Sequence, residues 1–244
     1  MLSEEHIIPY QVSPLPSGPW LVFAPHADDE TFGMGGALLL ARAAGLHTQV
    51  VVMTDGALGG PAEASAQLAA TRAREAETAA RFLGIERLTL LKQPDRSLMP
   101  SPALSARLSE LIRHSGAQSV FFPGPLEPHP DHRATALLVW QALATIPQPQ
   151  RPLPLAYEIS VQNPANCLLD ISAVMPAKCQ AMALYRSQLS QNNYIDIVAA
   201  LNKTRTYTLP PAVTHAEAFF RHPVTAPDSP LQSTLHQQMS DLLV

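Results

Sequence analysis

The chain has 244 residues, of which 46% are hydrophobic and 15% are charged, and its formal net charge is −4. This composition excludes an intrinsically disordered chain, and the near balance of acidic and basic side chains disfavours binding to nucleic-acid phosphates. Two cysteines are too few for a disulfide framework or a four-cysteine metal site. Without an apolar run of about 18 residues or a basic amino-terminal leader, we expect a soluble cytoplasmic protein with no membrane span.

Short apolar runs alternate with longer helical patterns along the chain. The predicted strands cover residues 20–24, 48–53, 87–91, 118–122, 155–161 and 167–170. The predicted helices cover residues 34–44, 64–83, 103–114, 134–143, 173–189 and 195–203. A final helical segment carries an apolar stripe, which suits docking onto the body of the protein or a subunit contact. The stripe consists of Leu231, Leu235, Met239 and Leu242.

The order strand, helix, strand repeats, and the strands are continuous apolar runs without alternation. Strands that are buried on both faces belong to mostly parallel sheets covered by helices. The sequence therefore predicts an α/β fold with a mostly parallel sheet between two helical layers. We expect one domain over residues 1–244, with a core at about 18–220 and a C-terminal tail at 221–244.

Two clusters of histidine and carboxylate side chains follow predicted strands. One comes directly after residues 20–24, and the other comes shortly after residues 118–122. Because ligands bind outside the carboxyl ends of the strands in open parallel sheets, we expect both clusters at one edge of the sheet. The clusters consist of Pro25, His26, Ala27, Asp28, Asp29 and Glu30, and of His129, Pro130, Asp131 and His132.

Imidazole and carboxylate side chains are the ligands of hydrolytic zinc sites, which use three protein ligands and keep one position for water. Zinc lowers the pKa of that water to about 7, a free carboxylate can take its second proton, and a protonated histidine can stabilise an oxyanion. Each cluster alone also has a structural interpretation, because acidic residues before a helix cap its first amides. Two clusters at one edge favour the catalytic interpretation. The other six histidines stand singly and are interpreted as surface or packing residues.

The two clusters together resemble the motifs of the zinc-dependent N-acetylglucosaminyl deacetylases, the LmbE-like or PIG-L family. The first motif of that family is P-H-P-D-D-E, which corresponds to residues 25–30 with alanine at position 27. The second motif, H-P-D-H, is intact at residues 129–132, and weaker similarity extends over residues 20–220. The resemblance implies a Rossmann-like fold of three layers, α/β/α, with the active site at the C-terminal ends of the strands.

The resemblance also implies a role for each matched position. The zinc ligands would be His26, Asp29 and His132. Asp28 would be the general base, His129 the cationic partner of the oxyanion, and Asp131 the residue that holds the ring and tautomer of His129. Arg72 and Asp95 would approach the sugar hydroxyls.

Two positions depart from the family's pattern. Ala27 replaces the proline of the first motif, which loosens the turn but removes no functional group. Glu127 stands two residues before His129, where the thiol-biosynthesis branch of the family carries a tyrosine. This difference argues against the substrate of that branch.

The sequence and the resemblance together predict a hydrolase, a zinc-dependent N-deacetylase acting on linear amides. It would remove an N-acetyl or other small N-acyl group from a glucosamine-type sugar conjugate by attack of a zinc-bound water. We expect one Zn²⁺ per chain, although Fe²⁺ suits the same ligands. The expected partner is a small N-acetylated amino-sugar conjugate rather than nucleic acid. Assembly into a homo-oligomer is compatible with the sequence. Two alternatives also stay open, a two-metal phosphoesterase or nuclease and a non-catalytic sugar-binding protein of the same fold.

Overall fold

The computed structural model describes residues 4, 7–59 and 65–242, and this part of the chain builds seven strands and eight α-helices. The strands are β1 (Trp20–Ala24), β2 (Thr48–Thr54), β3 (Arg87–Gln93), β4 (Ser119–Pro123), β5 (Leu153–Tyr157), β6 (Cys167–Asp170) and β7 (Ala216–Arg221). The helices are α1 (Asp29–Ala43), α2 (Ser65–Leu83), α3 (Pro102–Ser115), α4 (Pro130–Ala144), α5 (Met175–Met182), α6 (Arg186–Leu189), α7 (Tyr194–Thr204) and α8 (Leu231–Leu242).

The strands form one sheet in the order β3-β2-β1-β4-β5-β7-β6. β1 pairs in parallel with β2 and β4, and the parallel pairing continues outward to β3 and β5. β7 runs antiparallel to both β5 and β6, so one edge of the sheet is mixed. The prediction of a mostly parallel sheet is therefore confirmed.

Side chains of β1 point alternately into two hydrophobic clusters, one on each face of the sheet. Trp20 and Val22 pack with residues of α1, α2, α5 and α7. Leu21 and Phe23 pack with residues of α3, α4 and α8 on the other face. All four side chains are buried, which explains why this strand shows no polar alternation. The predicted three-layer arrangement is thus confirmed.

Several elements differ from their predicted ranges. The sequence patterns did not predict β7. The predicted helix at 173–189 is two helices, α5 and α6, because Tyr185 between them has non-helical backbone angles (φ −87°, ψ 60°). The predicted strand at 155–161 begins and ends earlier, as β5. The predicted helix at 64–83 is observed from Ser65, and Ala64 lies outside the described residues.

α1 and α4 begin inside the two histidine and carboxylate clusters. α1 begins at Asp29, before the predicted residue 34, and α4 begins at Pro130, before the predicted residue 134. The backbone carbonyl of Asp28 accepts hydrogen bonds from the N–H groups of Thr31 (2.9 Å) and Phe32 (2.8 Å). The first turns of two helices therefore hold the side chains that the sequence singled out.

α1 contains a kink at Met34, whose backbone angles are not helical (φ −142°, ψ 25°). The carboxylate of Glu217 on β7 accepts hydrogen bonds from the N–H groups of Gly36 (2.8 Å) and Ala37 (2.7 Å) beyond the kink. Glu217 therefore acts as an internal N-cap for the second half of α1. Glycine is required at position 36, since a Cβ there would lie 2.6 Å from Ile171 and 2.9 Å from the carboxylate.

Glu217 also forms a buried ion pair. Its Oε1 lies 2.7 Å from Nζ of Lys178 on α5, and both residues are 0% exposed. The ammonium group of Lys178 also donates a hydrogen bond to Oδ1 of Asn202 on α7 at 2.8 Å. Buried charges are stable only when paired and hydrogen-bonded, and both charges meet that condition here. The pair thus connects α1, α5, α7 and β7 on one face of the sheet.

The apolar stripe of α8 docks onto the body of the protein as far as its described side chains extend. Leu231 is buried, and Leu235 is partly buried, against the cluster formed by α3 and α4. The side chains of Met239 and Leu242 lie outside the described residues. Among the helices that the structure describes, none combines the length and apolar character that a bilayer span requires.

Candidate active site

Both predicted clusters lie at the carboxyl edge of the sheet. β1 and β4 are neighbouring parallel strands, so the loops that follow them emerge side by side. The loop after β1 carries His26 and leads at once into α1. The loop after β4 ends at His129, which is the N-cap residue of α4. This edge is the usual position for a ligand in an open α/β sheet.

The three predicted metal ligands meet around one carboxylate oxygen. Oδ2 of Asp29 lies 3.1 Å from Nδ1 of His26 and 3.3 Å from Nε2 of His132. All three side chains are buried. Two imidazole nitrogens gathered around a carboxylate oxygen form a suitable donor set for zinc or another divalent transition metal.

Two groups of side chains, neither of which includes Asp29, each place one donor atom per residue within 4.8 Å of the others. They consist of His26, His129 and His132, and of His26, Asp95 and Asp131. Nε2 of His26 lies 3.2 Å from a carboxylate oxygen of Asp95 and 3.2 Å from one of Asp131. Burial opposes protonation of this ring, but hydrogen bonds with three carboxylates raise the pKa of His26 well above the usual value.

Asp28 is a buried carboxyl group in an uncommon backbone conformation. Its φ of 137° is costly for a non-glycine residue, and such angles cluster at functional sites. Oδ2 lies 3.2 Å from the guanidinium of Arg72. Burial raises the pKa of Asp28 to about 7, although the charge of Arg72 opposes this shift and that of Asp29 adds to it. A carboxyl group that titrates near neutral pH is suited to take a proton and return it.

Arg72 reaches from α2 to the loop after β1. Its guanidinium donates hydrogen bonds to the backbone carbonyls of Ala27 (3.0 Å) and Gly56 (3.3 Å). Gly56 has φ 62°, and a Cβ there would lie 2.8 Å from the guanidinium, so glycine lets the loop after β2 close over the arginine. Arg72 therefore holds the backbone on which Asp28 sits.

The backbone at the start of α4 holds the ring of His129. The backbone N–H of Asp131 donates a hydrogen bond to Nδ1 of His129 at 3.2 Å. Because Nδ1 accepts this hydrogen bond, the proton of the neutral ring is on Nε2. Burial and the charges of His26 and His132 lower the pKa of His129 to about 4. With Nδ1 accepting, the ring presents its Nε2–H as a hydrogen-bond donor, and the cationic role of His129 stays a prediction.

The carboxylate of Asp131 contacts backbone N–H groups and the ring of His26, and not the ring of His129. Its Oδ2 accepts a hydrogen bond from the N–H of Arg96 at 2.7 Å, and its Oδ1 accepts one from Leu98 at 3.3 Å. Oδ2 also contacts His26, as described above. The backbone of Asp131, and not its carboxylate, therefore fixes the tautomer of His129, while the carboxylate orients His26.

Asp95 lies beside His26 in the loop after β3. Its Oδ2 accepts a hydrogen bond from the N–H of Leu58 at 2.9 Å, and its Oδ1 contacts His26. Burial would raise the pKa of Asp95, but these hydrogen bonds outweigh it and hold the pKa well below the usual range. Asp95 and Arg72 both line the cavity over the site, and both also support the loop after β1.

Glu127 has contacts that the sequence did not reveal. It is fully buried, and its Oε2 lies 3.5 Å from Nδ1 of His132. Oε1 accepts a hydrogen bond from the N–H of Ile159 at 2.9 Å, and Oε2 accepts one from Ser160 at 3.0 Å. Burial disfavours the charged ring of His132, but Asp29 and then Glu127 raise its pKa to about 9. The departure from the family pattern at position 127 was the one sequence signal for this residue.

Glu30 is a further buried carboxyl group of the first cluster, and the sequence analysis assigned no role to it. It accepts hydrogen bonds from the hydroxyls of Tyr185 and Thr31 and from the backbone N–H of Asp28. Burial raises its pKa, although these hydrogen bonds oppose the shift. Glu30 thus fixes the backbone at Asp28 from the side of α1.

A cavity of about 730 Å³ lies over these side chains, within the range of about 300–1,000 Å³ found for small-molecule sites. Its polar wall consists of His26, Asp28, Asp29, Arg72, Asp95, Arg96, His129 and His132. The arrangement can hold a divalent metal ion, place the buried carboxyl group of Asp28 beside it, and present an imidazole N–H to a bound molecule.

A family model and several curated relatives match this chain. The sequence model of PIG-L, described as GlcNAc-PI de-N-acetylase, matches residues 21–143. The probable N-acetyl-alpha-D-glucosaminyl L-malate deacetylase 2 of Bacillus anthracis is 30% identical over 186 residues, which cover 70% of this chain and 81% of that protein. The diacetylchitobiose deacetylase of Thermococcus kodakarensis is 29% identical over 188 residues, which cover 70% of each protein.

A solved deacetylase structure is also similar to this chain. The N,N'-diacetylchitobiose deacetylase from Pyrococcus horikoshii, complexed with its inhibitor MPG, aligns with a TM-score of 0.76 at 27% sequence identity. The alignment covers 84% of each chain. The segment matched by the family model, residues 21–143, contains both histidine and carboxylate clusters.

Proposed function

Because the chain belongs to the PIG-L family of GlcNAc-PI de-N-acetylases, we propose that it is a metal-dependent N-deacetylase. Its substrate is a glucosamine-type sugar conjugate that carries an N-acetyl or other small N-acyl group. The names of the relatives support this substrate class. The observation that carries the proposal is the position of Asp28, with a pKa of about 7, directly beside Asp29 and the two imidazoles that converge on it.

The metal ion would be held by Nδ1 of His26, Oδ2 of Asp29 and Nε2 of His132, and Zn²⁺ suits this set of donors. When bound, such an ion lowers the pKa of water to about 7 and polarises an acyl carbonyl. Glu127 supports His132 from its other ring nitrogen, as carboxylates behind metal-binding histidines commonly do.

Asp28 takes a proton from the attacking water as the water oxygen bonds to the amide carbon. It then gives that proton to the nitrogen as the C–N bond breaks, so that the products are the acid and the free amine. The Nε2–H of His129 donates a hydrogen bond to the carbonyl oxygen as negative charge develops there. Arg72 and Asp95 on the same wall bind sugar hydroxyls.

The test measures zinc per chain and acetate release from N-acetylglucosamine conjugates. His132→Ala should lose most of the zinc and the activity. Asp28→Asn should keep the zinc and lower kcat about 10²- to 10⁴-fold, because asparagine has nearly the same shape as aspartate but cannot take the proton. The control is His114→Ala, an exposed residue on α3, which should change neither quantity.

Two results would contradict the proposal. Wild-type turnover in Asp28→Asn would remove the general-base role. If the protein binds one zinc per chain but releases acetate from no conjugate, its substrate would be a different acyl amide. If the sugars bind in that case without being hydrolysed, the result would support a non-catalytic sugar-binding protein.

The second donor group, which combines His26 with Asp95 and Asp131, keeps a two-metal phosphoesterase as an alternative. Both ions would then share His26, and a neutral imidazole cannot bind two ions because one ring nitrogen carries a proton. One zinc per chain therefore supports the deacetylase. Two ions per chain, with hydrolysis of a phosphate ester, would replace it.

A further inference from the structure

The cavity over the candidate active site has two unlike walls. One wall carries the charged and imidazole side chains, and the other comes from α1, α7 and the segment after β5. On the second wall the rings of Phe32 and Tyr194 lie 5.5 Å apart, measured between centroids. Val198 beside them is buried, whereas Ile197 is 45% exposed. This wall presents apolar surface to any molecule that enters the cavity.

A second, more open depression of about 830 Å³ adjoins the cavity. Ser160 and Ile197 line both spaces, so the two spaces are neighbours on either side of these residues. The depression follows α7 past Leu201 to Tyr207. Tyr207 is 90% exposed. Val161, which is 38% exposed, contributes further apolar surface. These side chains give the depression an apolar surface beside the cavity.

The boundary between the two spaces is held by hydrogen bonds. The N–H of Ser160 donates to Oε2 of Glu127 at 3.0 Å. The side-chain amide of Gln162 donates to Oγ1 of Thr204, at the end of α7, at 2.6 Å. Because both sides are fixed in this way, the depression is preformed, and a ligand loses less free energy in ordering it.

We propose that this depression is the subsite for the aglycone, the group attached to the sugar that carries the acyl amide. It takes an uncharged aglycone with an apolar face, which is an aryl or alkyl group or the face of a further sugar ring. The proposal rests on the proposed N-deacetylase function, since the N-acyl group must lie at Asp28 while the rest of the conjugate leaves the cavity across Ile197.

The charges around the depression favour an uncharged occupant. The guanidinium of Arg205 is bound by the carboxylate of Glu158, so its charge is compensated. Lys203 is exposed, where a single charge contributes little to binding. Arg96 lies on the opposite, polar wall of the cavity. A carboxylate-bearing aglycone would have to lie against Arg96, away from the depression.

The test compares kcat and KM for four substrates, which are free N-acetylglucosamine, its phenyl glycoside, N,N'-diacetylchitobiose and the malate conjugate. We expect higher kcat/KM for the two uncharged conjugates than for the other substrates. Ile197→Ser and Tyr207→Ser should raise KM for the uncharged conjugates about 5- to 20-fold, with little change in kcat. Val224→Ser, at an exposed apolar residue outside both spaces, is the matched control and should keep the wild-type preference.

The two uncharged conjugates distinguish an aryl or alkyl aglycone from a second sugar ring. Equal kcat/KM for all four substrates would overturn the subsite and leave the deacetylase intact. A preference for the malate conjugate that disappears in Arg96→Ala would also overturn it. If the wild type releases acetate from none of the four substrates, the proposed function fails instead. Calorimetric measurement of the affinity for the phenyl glycoside then tests whether the subsite exists. Equal affinity in wild type and Ile197→Ser would then exclude it.

Discussion

Glu127 connects the candidate metal site with the wall of the cavity through one buried carboxylate. Its Oε2 faces Nδ1 of His132, and its two oxygens accept hydrogen bonds from the N–H groups of Ile159 and Ser160. A carboxylate behind a metal-binding imidazole fixes the orientation of the ring and raises its basicity. We therefore expect Glu127 to favour the ring orientation in which Nε2 of His132 faces Asp29, although its 3.5 Å contact with Nδ1 is longer than a normal hydrogen bond.

The substitution Glu127→Gln tests this role. Glutamine keeps the shape of the side chain but loses its charge and one of its two accepting oxygens. We expect the affinity for zinc to fall about 10- to 100-fold, measured by competition with a chelator of known affinity. Glu110→Gln, at an exposed position on α3, is the control. An unchanged zinc affinity in Glu127→Gln would show that the 3.5 Å contact has no influence on the ion.

The sequence predicted correctly that the side chains of the two clusters lie close together. It did not predict which atoms of these side chains form hydrogen bonds with each other. The two clusters could be found because the order of strands alone places both at one edge of the sheet. The direction of a side chain in a loop depends on backbone angles such as the φ of 137° at Asp28, which no local pattern encodes. The contact of Asp131 with His26 and the hydrogen bond at Nδ1 of His129 could therefore not be predicted.

At the scale of elements, the ion pair of Lys178 and Glu217 joins helices to the mixed edge of the sheet. Glu217 caps the second half of α1, and Lys178 neutralises the charge that makes this cap effective. Removing one member of a buried pair leaves an uncompensated charge, whereas removing both can be nearly neutral.

Lys178→Met should therefore lower the free energy of unfolding by about 3–5 kcal/mol. The double variant Lys178→Met with Glu217→Gln should be more stable than Lys178→Met alone, because no buried charge is left without a partner. Urea unfolding of the wild type, both single variants and the double variant measures the coupling. Strictly additive effects of the two substitutions would contradict the interpretation.

The elements that the sequence did not predict have a common cause, which is contact with distant parts of the chain. β7 has only six residues and carries Glu217 among its apolar residues, so no clear strand pattern marks it. Its partners on β5 and β6 lie far away in sequence. α5 and α6 are separated at Tyr185 without a glycine or proline, and the hydroxyl of this tyrosine binds Glu30 instead. Tertiary contacts, which a local pattern cannot show, determine both features.

At the scale of the whole molecule, the fold class was predictable because it follows from repetition. The sheet contains four parallel strand pairs between two helical layers. A sequence in which apolar strands alternate with helices is sufficient to predict this arrangement. The antiparallel edge formed by β7 and β6 breaks that repetition and was not predicted.

The stability of the molecule should fall in mild acid because of His222. Its ring packs against Phe220 and Trp140, with centroid distances of 4.8 and 4.9 Å, and Nε2 has no partner among the described residues. Burial lowers the pKa of His222 to about 4, below the value of about 6.5 in an unfolded chain. Between these two values the unfolded chain binds a proton that the folded protein does not, so stability decreases as the pH falls.

We expect this histidine to account for about 3 kcal/mol of lost stability between pH 7 and pH 4. Urea unfolding across this range, with a chelator present, should show a smaller loss for His222→Phe than for the wild type. His236→Gln, at an exposed position of α8, should behave like the wild type. The same pH dependence in His222→Phe would assign the acid sensitivity to other groups.

The cap on α1 has a consequence for the order in which the protein is made. All candidate metal ligands are translated by residue 132, but Lys178 and Glu217 follow much later, a delay on the order of ten seconds at about 5–20 residues per second. During that interval the nascent chain already carries the histidines and aspartates, while the second half of α1 has not received its cap. The second half of α1 therefore receives its cap late in synthesis, although the candidate metal ligands are made early.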